Sequence, residues 1–144
     1  QAPTPMRRSD IVAEARTLVG TPFQHQGRTP GVGLDCGGVI VHLLRFMGID
    51  YDVAGYGRLP EGLRLIEVCD EALVRIRPSA FKPGDVIALR LLREPQHLAL
   101  VTDYGILHAW QRIWTPAKVC ETILTADWRQ RIAAAWQFPG VTDG

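Results

Sequence analysis

The sequence lacks what would mark a disulfide scaffold, a zinc ribbon, a membrane anchor or a polyanion binder. It has three cysteines, Cys36, Cys69 and Cys120. They cannot all pair and form no Cys-x-x-Cys, so a stapled mini-domain is excluded. No apolar run is long enough to cross a bilayer, and the opening "QAPTPMRRSD" has no apolar signal-peptide core. The first residue is Gln rather than Met, which suggests a trimmed or tagged N-terminus and leaves an original targeting signal open. Sixteen Lys and Arg against 15 Asp and Glu give a formal charge of +1, which offers nucleic acid or a membrane surface no electrostatic footprint. Repeats and low-complexity tracts are missing too. What remains is a single domain, 1–144, whose 47% hydrophobic content can bury a core, with 1–8 read as a flexible lead.

The first half of the chain reads as helical. Ser9 is placed to cap a helix through "DIVAEARTLVG", with Ile11, Ala15 and Leu18 on one side and Gly20 closing it. "TPFQHQGRTPGVG" is too rich in Gly and Pro for a regular element. "CGGVIVHLLRFMG" has apolar residues at helical spacing, with Asp35 as its cap and Gly48 as its stop. After the irregular "IDYDVAGYGRLPEG", a third helix in "EGLRLIEVCDEAL" turns Leu63, Ile66 and Leu73 inward, with Cys69 in the core.

The second half reads as strands. "KPGD" is a turn into a short apolar strand, and "HLALVTD" alternates, with His97, Ala99 and Val101 on one face. A two-residue turn at "YG" leads into "ILHAW", where Ile106, His108 and Trp110 share a face. "AKVCETI" and "IAAAWQF" add strands around a helical turn near "TADWRQR". Helices followed by hairpin-linked strands predict an α+β domain with an antiparallel sheet.

Cys36 stands where the Gly-rich loop becomes a helix, on the stripe that also carries Val39, Ile40, Leu43, Leu44 and Met47. A helix start offers unpaired N–H groups and positive partial charge, which lower a thiol's pKa and favour the nucleophilic thiolate. Gly37 and Gly38 are expected to leave room for a substrate beside the sulfur. A small buried cysteine is the bland alternative.

The four histidines divide by position. His42 lies about 120° around the helix from Cys36 and should miss the sulfur. His25 sits in the loop, where a substrate contact and a plain loop histidine are equally open. His97 and His108 lie on apolar strands of one hairpin, where each ring needs a polar partner. Pairing one with Cys36 and the other with the first gives nucleophile, base and orienter. Two structural core histidines, or a zinc site of Cys36, His97 and His108, are the rivals. The zinc site lacks the short paired spacing of zinc motifs.

These segments resemble the NlpC/P60 cell-wall peptidases. "GLDCGGVI" is similar to their Asp-Cys-Ser-Gly run, "KPGDVIAL" to their Pro-Gly-Asp strand start and "HLALVTDYGILHA" to their histidine segment. "GTPFQHQGRTPGVG" lines up with their "GTPY" loop. The His-Gln pair and the ending "LTADWRQRIAAAWQFPG" look most like cell-wall peptidases of phage tail and gene-transfer-agent clusters.

The resemblance implies a papain-like α+β fold with the nucleophile helix on an antiparallel sheet. It implies a cysteine endopeptidase of peptidoglycan stem peptides, cleaving between D-glutamate and a diamino acid. Cys36 would be the nucleophile, His97 the base and His108 its orienter. Phe23, Gln24, His25, Gln26, Asp35 and Gly37 would face the substrate, and neither metal nor cofactor is expected. Stem peptides are the expected partner, with other tail proteins beside them. The expected location is a phage-like tail acting in the periplasm or cell wall. An amidase or acyltransferase using the same thiol, and a tail-tip structural module with a weakened site, are the alternatives. Two departures stand out: Gly37 replaces the family's serine, and Phe23 replaces its loop tyrosine.

Overall fold

A computed structural model of the chain describes residues 5–52, 64–91, 94–111 and 114–143. In chain order its elements are β1 (Met6–Arg7), α1 (Arg8–Arg16), β2 (Arg28–Thr29), β3 (Gly33–Leu34), α2 (Cys36–Phe46) and α3 (Arg64–Ala72). They continue with β4 (Val74–Ile76), β5 (Val86–Leu91), β6 (Glu94–Val101), β7 (Ile106–Trp110), β8 (Lys118–Thr122), α4 (Ala126–Gln130), β9 (Ile132–Gln137) and β10 (Val141–Thr142). Leu63 and most of the segment read as irregular before α3 lie outside the described residues.

Six strands form one antiparallel sheet in the order β4-β9-β5-β6-β7-β8. The helices of the first half cover one face, as the α+β reading predicts. Ile11 and Leu18 near α1, Val39, Leu43 and Leu44 of α2, and Cys69 of α3 pack on Leu98, Leu100 and Leu107. Odd residues of β6 point the other way, where Ala99 and Val101 join Ile87, Leu89 and Ile106 in a second, smaller cluster bordered by Trp128. Alternation along one strand therefore feeds two cores.

The N-terminal expectations need correction. Ser9 does not cap α1; the helix starts two residues earlier than expected, at Arg8, behind Arg7, whose side chain makes no capping bond. The lead is also shorter than 1–8, because Met6 and Arg7 pair in parallel with Val141 and Thr142. The Arg8 guanidinium then donates to the fully buried Asp85 at 2.6 Å. Asp85 also accepts from the Lys82 N–H at 2.9 Å, so one carboxylate closes the "KPGD" turn and ties it to Arg8.

The hairpin turn is longer than the sequence suggests. Residues Thr102–Gly105 connect β6 to β7, and the Thr102 hydroxyl accepts from the N–H groups of Tyr104 and Gly105 at 3.1 and 2.9 Å. A threonine side chain can replace backbone partners in a turn, which the Tyr-Gly pair does not reveal. The loop 21–33, read as irregular, contains β2 and the start of β3, which pair with each other.

Candidate active site

α2 brings Cys36 to the sheet. Asp35 caps it as predicted, its carboxylate accepting from the Gly38 N–H at 2.7 Å. Gly48, at φ +86, follows the helix end in the left-handed region that glycine adopts without cost. Asp35 does more than cap. Its second oxygen accepts from the Gln26 N–H at 2.8 Å, and Arg28 donates to the first at 3.0 Å. The carboxylate is buried, so it fastens the loop over the helix start.

That loop takes the space expected for substrate at one of the two glycines. A Cβ on Gly38 would run into the Gly27 carbonyl, so Gly38 is small because the loop backbone lies against it. Gln24 folds its side chain across Gly33, while His25 and Gln26 are half-buried. Phe23 is 39% exposed, with its backbone held by the Ala117 carbonyl at 3.0 Å. Gly37 is half-buried beside Cys36. His42 turns to α1, where its Nε2 meets Glu14 at 2.8 Å, so it misses the sulfur as predicted.

The histidines of the hairpin come together. His97 Nε2 and His108 Nδ1 are 2.7 Å apart, and both rings are buried. The β6-β7 ladder joins Leu100 to Leu107 and Val101 to Ile106 without continuing to these rings, which meet diagonally at a centroid distance of 5.0 Å. His108 Nε2 reaches the Thr122 hydroxyl on β8 at 2.9 Å. His97 Nδ1 has no hydrogen bond among the described residues, where no buried side-chain nitrogen or oxygen lacks a partner.

Cys36 approaches from the other side. Its side chain packs with the helix-side core, and its sulfur lies by the backbone of Leu98, the residue after His97. No hydrogen bond joins the thiol to His97.

Two tryptophans complete the surroundings and were not among the sequence candidates. Trp110 stacks on His108, interplanar angle 6°, with its centroid 4.9 Å from that of His97. Trp128 of α4 stands edge-on to Trp110 at 5.2 Å and lies 5.9 Å from His97. The alternation of "ILHAW" already put Trp110 on the face of His108. Nothing local placed Trp128 there.

This arrangement has counterparts among solved structures. The chain aligns over 96% of its length with 42% of an NlpC/P60 family protein from Bacillus cereus ATCC 10987, at TM-score 0.67 and 19% identity. It aligns over 91% of its length with 98% of the NlpC/p60 domain of the peptidoglycan hydrolase SagA, at TM-score 0.60 and 25% identity. The fold is that of the NlpC/P60 proteins. A Staphylococcus aureus Mu50 protein described as similar to lipoprotein, NLP/P60 family, aligns over 96% of this chain and 44% of its own length, at TM-score 0.61 and 20% identity. The chain thus spans less than half of the Bacillus and Staphylococcus proteins and nearly all of the SagA domain. Neither a protein-family model nor a curated protein matches the sequence.

Within this NlpC/P60 fold the electrostatics differ from the sequence expectation. Cys36 keeps part of its surface in solvent, yet burial of the thiol pushes its pKa up to about 11, with the Asp35 charge adding to the rise. Backbone groups of Leu98, Gly37 and Cys36 pull the other way without winning. Burial, and then His108, hold His97 well below 6.5, and burial takes His108 down to about 4. The resting site at neutral pH is therefore a neutral thiol beside neutral imidazoles.

Proposed function

We propose that the protein is a cysteine endopeptidase that cleaves peptidoglycan stem peptides, with Cys36 as nucleophile, His97 as base and His108 as its orienter. The observation that carries this reading is the buried His97–His108 pair, which leaves Nδ1 of His97 without a hydrogen bond among the described residues, on the ring next to the residue whose backbone lies by the Cys36 sulfur. Papain-like folds also host other chemistry, so the argument rests on the site and not on the fold.

Because thiol and imidazole start neutral, the proton moves during attack and not before it. Cys36 Sγ bonds to the amide carbonyl carbon as its proton passes to His97 Nδ1. The oxyanion meets the backbone N–H of Cys36 at the start of α2. The C–N bond then breaks, and the His97 imidazolium protonates the leaving amine. Water, deprotonated by His97, releases the acyl group from sulfur as a carboxylate. The scissile bond we propose joins D-glutamate to a diamino acid. The resemblance of the His-Gln pair and of the segment "LTADWRQRIAAAWQFPG" to tail-cluster peptidases is what supports action in the cell wall from a phage-like particle. An amidase or acyltransferase would use the same thiol with another acceptor.

The test is digestion of purified peptidoglycan, with soluble fragments identified by mass spectrometry. Fragments with a new diamino-acid N-terminus are expected. Cleavage at the sugar–peptide amide would indicate an amidase. An undigested sacculus would indicate the structural module, the reading that Phe23 favours because it lacks a hydroxyl.

Phe23 also supports a gain-of-function prediction. If a loop hydroxyl helps at the oxyanion, Phe23→Tyr should raise kcat several-fold, roughly half a decade to a decade, with little change in KM. The ring is already partly exposed, so one added oxygen fits. Steady-state kinetics on a stem-peptide substrate would show it; an unchanged kcat assigns the role to another donor, with Gln24 or Gln26 first.

A further inference from the structure

We infer that Thr122 is a positioning residue whose hydroxyl, by accepting a hydrogen bond from the His108 Nε2–H, fixes which nitrogen of His97 is free to act as base. The inference rests on the proposed role of His97. The hydrogen bonds form a line: His97 Nε2 to His108 Nδ1 at 2.7 Å, and His108 Nε2 to Thr122 Oγ1 at 2.9 Å. A neutral imidazole donates from one nitrogen and accepts at the other, so the line has two polarities.

In one polarity, Thr122 accepts from His108 Nε2–H. His108 Nδ1 then accepts from His97 Nε2–H, and His97 Nδ1 is left bare. In the other, Thr122 donates, both histidines carry their proton on Nδ1, and the open nitrogen of His97 is already occupied. Only the first arrangement can take a proton from a thiol. The choice passes through two rings to a residue that touches neither sulfur nor substrate.

The backbone supports this placement. Thr122 pairs with Ile106 across the β7-β8 ladder, and a Cβ at the neighbouring Gly105 would strike the Thr122 carbonyl. The glycine that ends the hairpin turn therefore lets β8 come close enough for the hydroxyl to reach His108. Thr122 is half-buried, so water competes only in part for that hydroxyl.

The test uses the whole chain with 15N-labelled histidine at pH 7.5, where both rings are neutral. Wild type and Thr122→Ser are expected to show both imidazoles protonated at Nε2. Thr122→Val, equal in shape but without an acceptor, is expected to show a mixture of tautomers at His108 and His97. Its kcat on a stem-peptide substrate should fall about tenfold, the kinetic equivalent of one buried hydrogen bond, with KM unchanged and with rescue by Thr122→Ser. A wild-type His97 protonated at Nδ1 would overturn the inference, as would tautomers unchanged in Thr122→Val. Equal losses in the Ser and Val variants, with lowered melting temperature, would show a structural role instead. A wild type with the expected tautomers but no hydrolysis would count against the peptidase reading alone.

Discussion

Cys36→Ala should abolish the release of stem-peptide fragments, a loss of roughly 10⁴-fold or more, while the protein keeps its fold. The thiol supplies the bond-forming electron pair, and the other two cysteines, Cys69 and Cys120, are buried. His97→Ala should come close to the same loss, because a thiol whose pKa is about 11 has almost no thiolate at pH 7 without a base. The double variant should be little worse than either single one, as expected of groups that act in one step. His108→Ala should cost less, roughly 10²-fold, since it acts through the geometry and tautomer of His97. Fragment release measured alongside circular dichroism would separate these effects from unfolding. A His108→Ala variant equal to wild type would assign the third position to another residue.

Acidification should destabilise the fold between pH 6.5 and 4, well before most carboxylates titrate. In the unfolded chain both imidazoles take up protons near pH 6.5, while in the folded chain burial holds His108 down to about 4 and His97 well below 6.5. The unfolded state therefore binds more protons as pH falls. Stability is fully present above pH 6.5 and is lost progressively towards the folded values. For His108 the displacement corresponds to on the order of 3 kcal/mol, and His97 acts in the same direction. Urea midpoints at pH 7.5 and 4.5 should differ accordingly, and His108→Gln should shrink the difference. Equal midpoints in wild type would contradict the burial of a neutral pair. The same displacement predicts that the acid limb of kcat/KM lies below pH 6.5, where His97 is first lost as a base.

What the sequence discloses here is mostly what repeats or alternates. α2 is legible because its apolar stripe has period 3.6 and lies between an aspartate cap and a glycine stop. The hairpin is legible because "HLALV" and "ILHAW" alternate, while the β6-β7 register is what puts His97 and His108 on one face. The missing pieces are held by partners distant in sequence. Trp128 reaches the histidines only because α4 folds back on the second face of the sheet. Thr122 matters through a ring on the neighbouring strand, and Gly38 is small because of the Gly27 carbonyl eleven positions earlier. Arg8 joins the fold through Asp85, which no pattern near residue 8 announces.

The thiol pKa shows a different limit. A helix start does favour a thiolate, and backbone groups at Cys36 do pull its pKa down. Burial opposes them, together with the very carboxylate that caps the helix. The size of each effect depends on how the loop 21–35 covers the site, which composition does not reveal.

Alkylation of the folded protein tests the central claim most directly. Iodoacetamide near neutral pH, followed over time by peptide mapping and by fragment release from peptidoglycan, should modify Cys36 well before the buried Cys69 and Cys120. Activity should fall in proportion to a single adduct at Cys36, and a stem-peptide substrate should slow both. A protein fully modified at Cys36 that still releases fragments at the original rate would contradict the account.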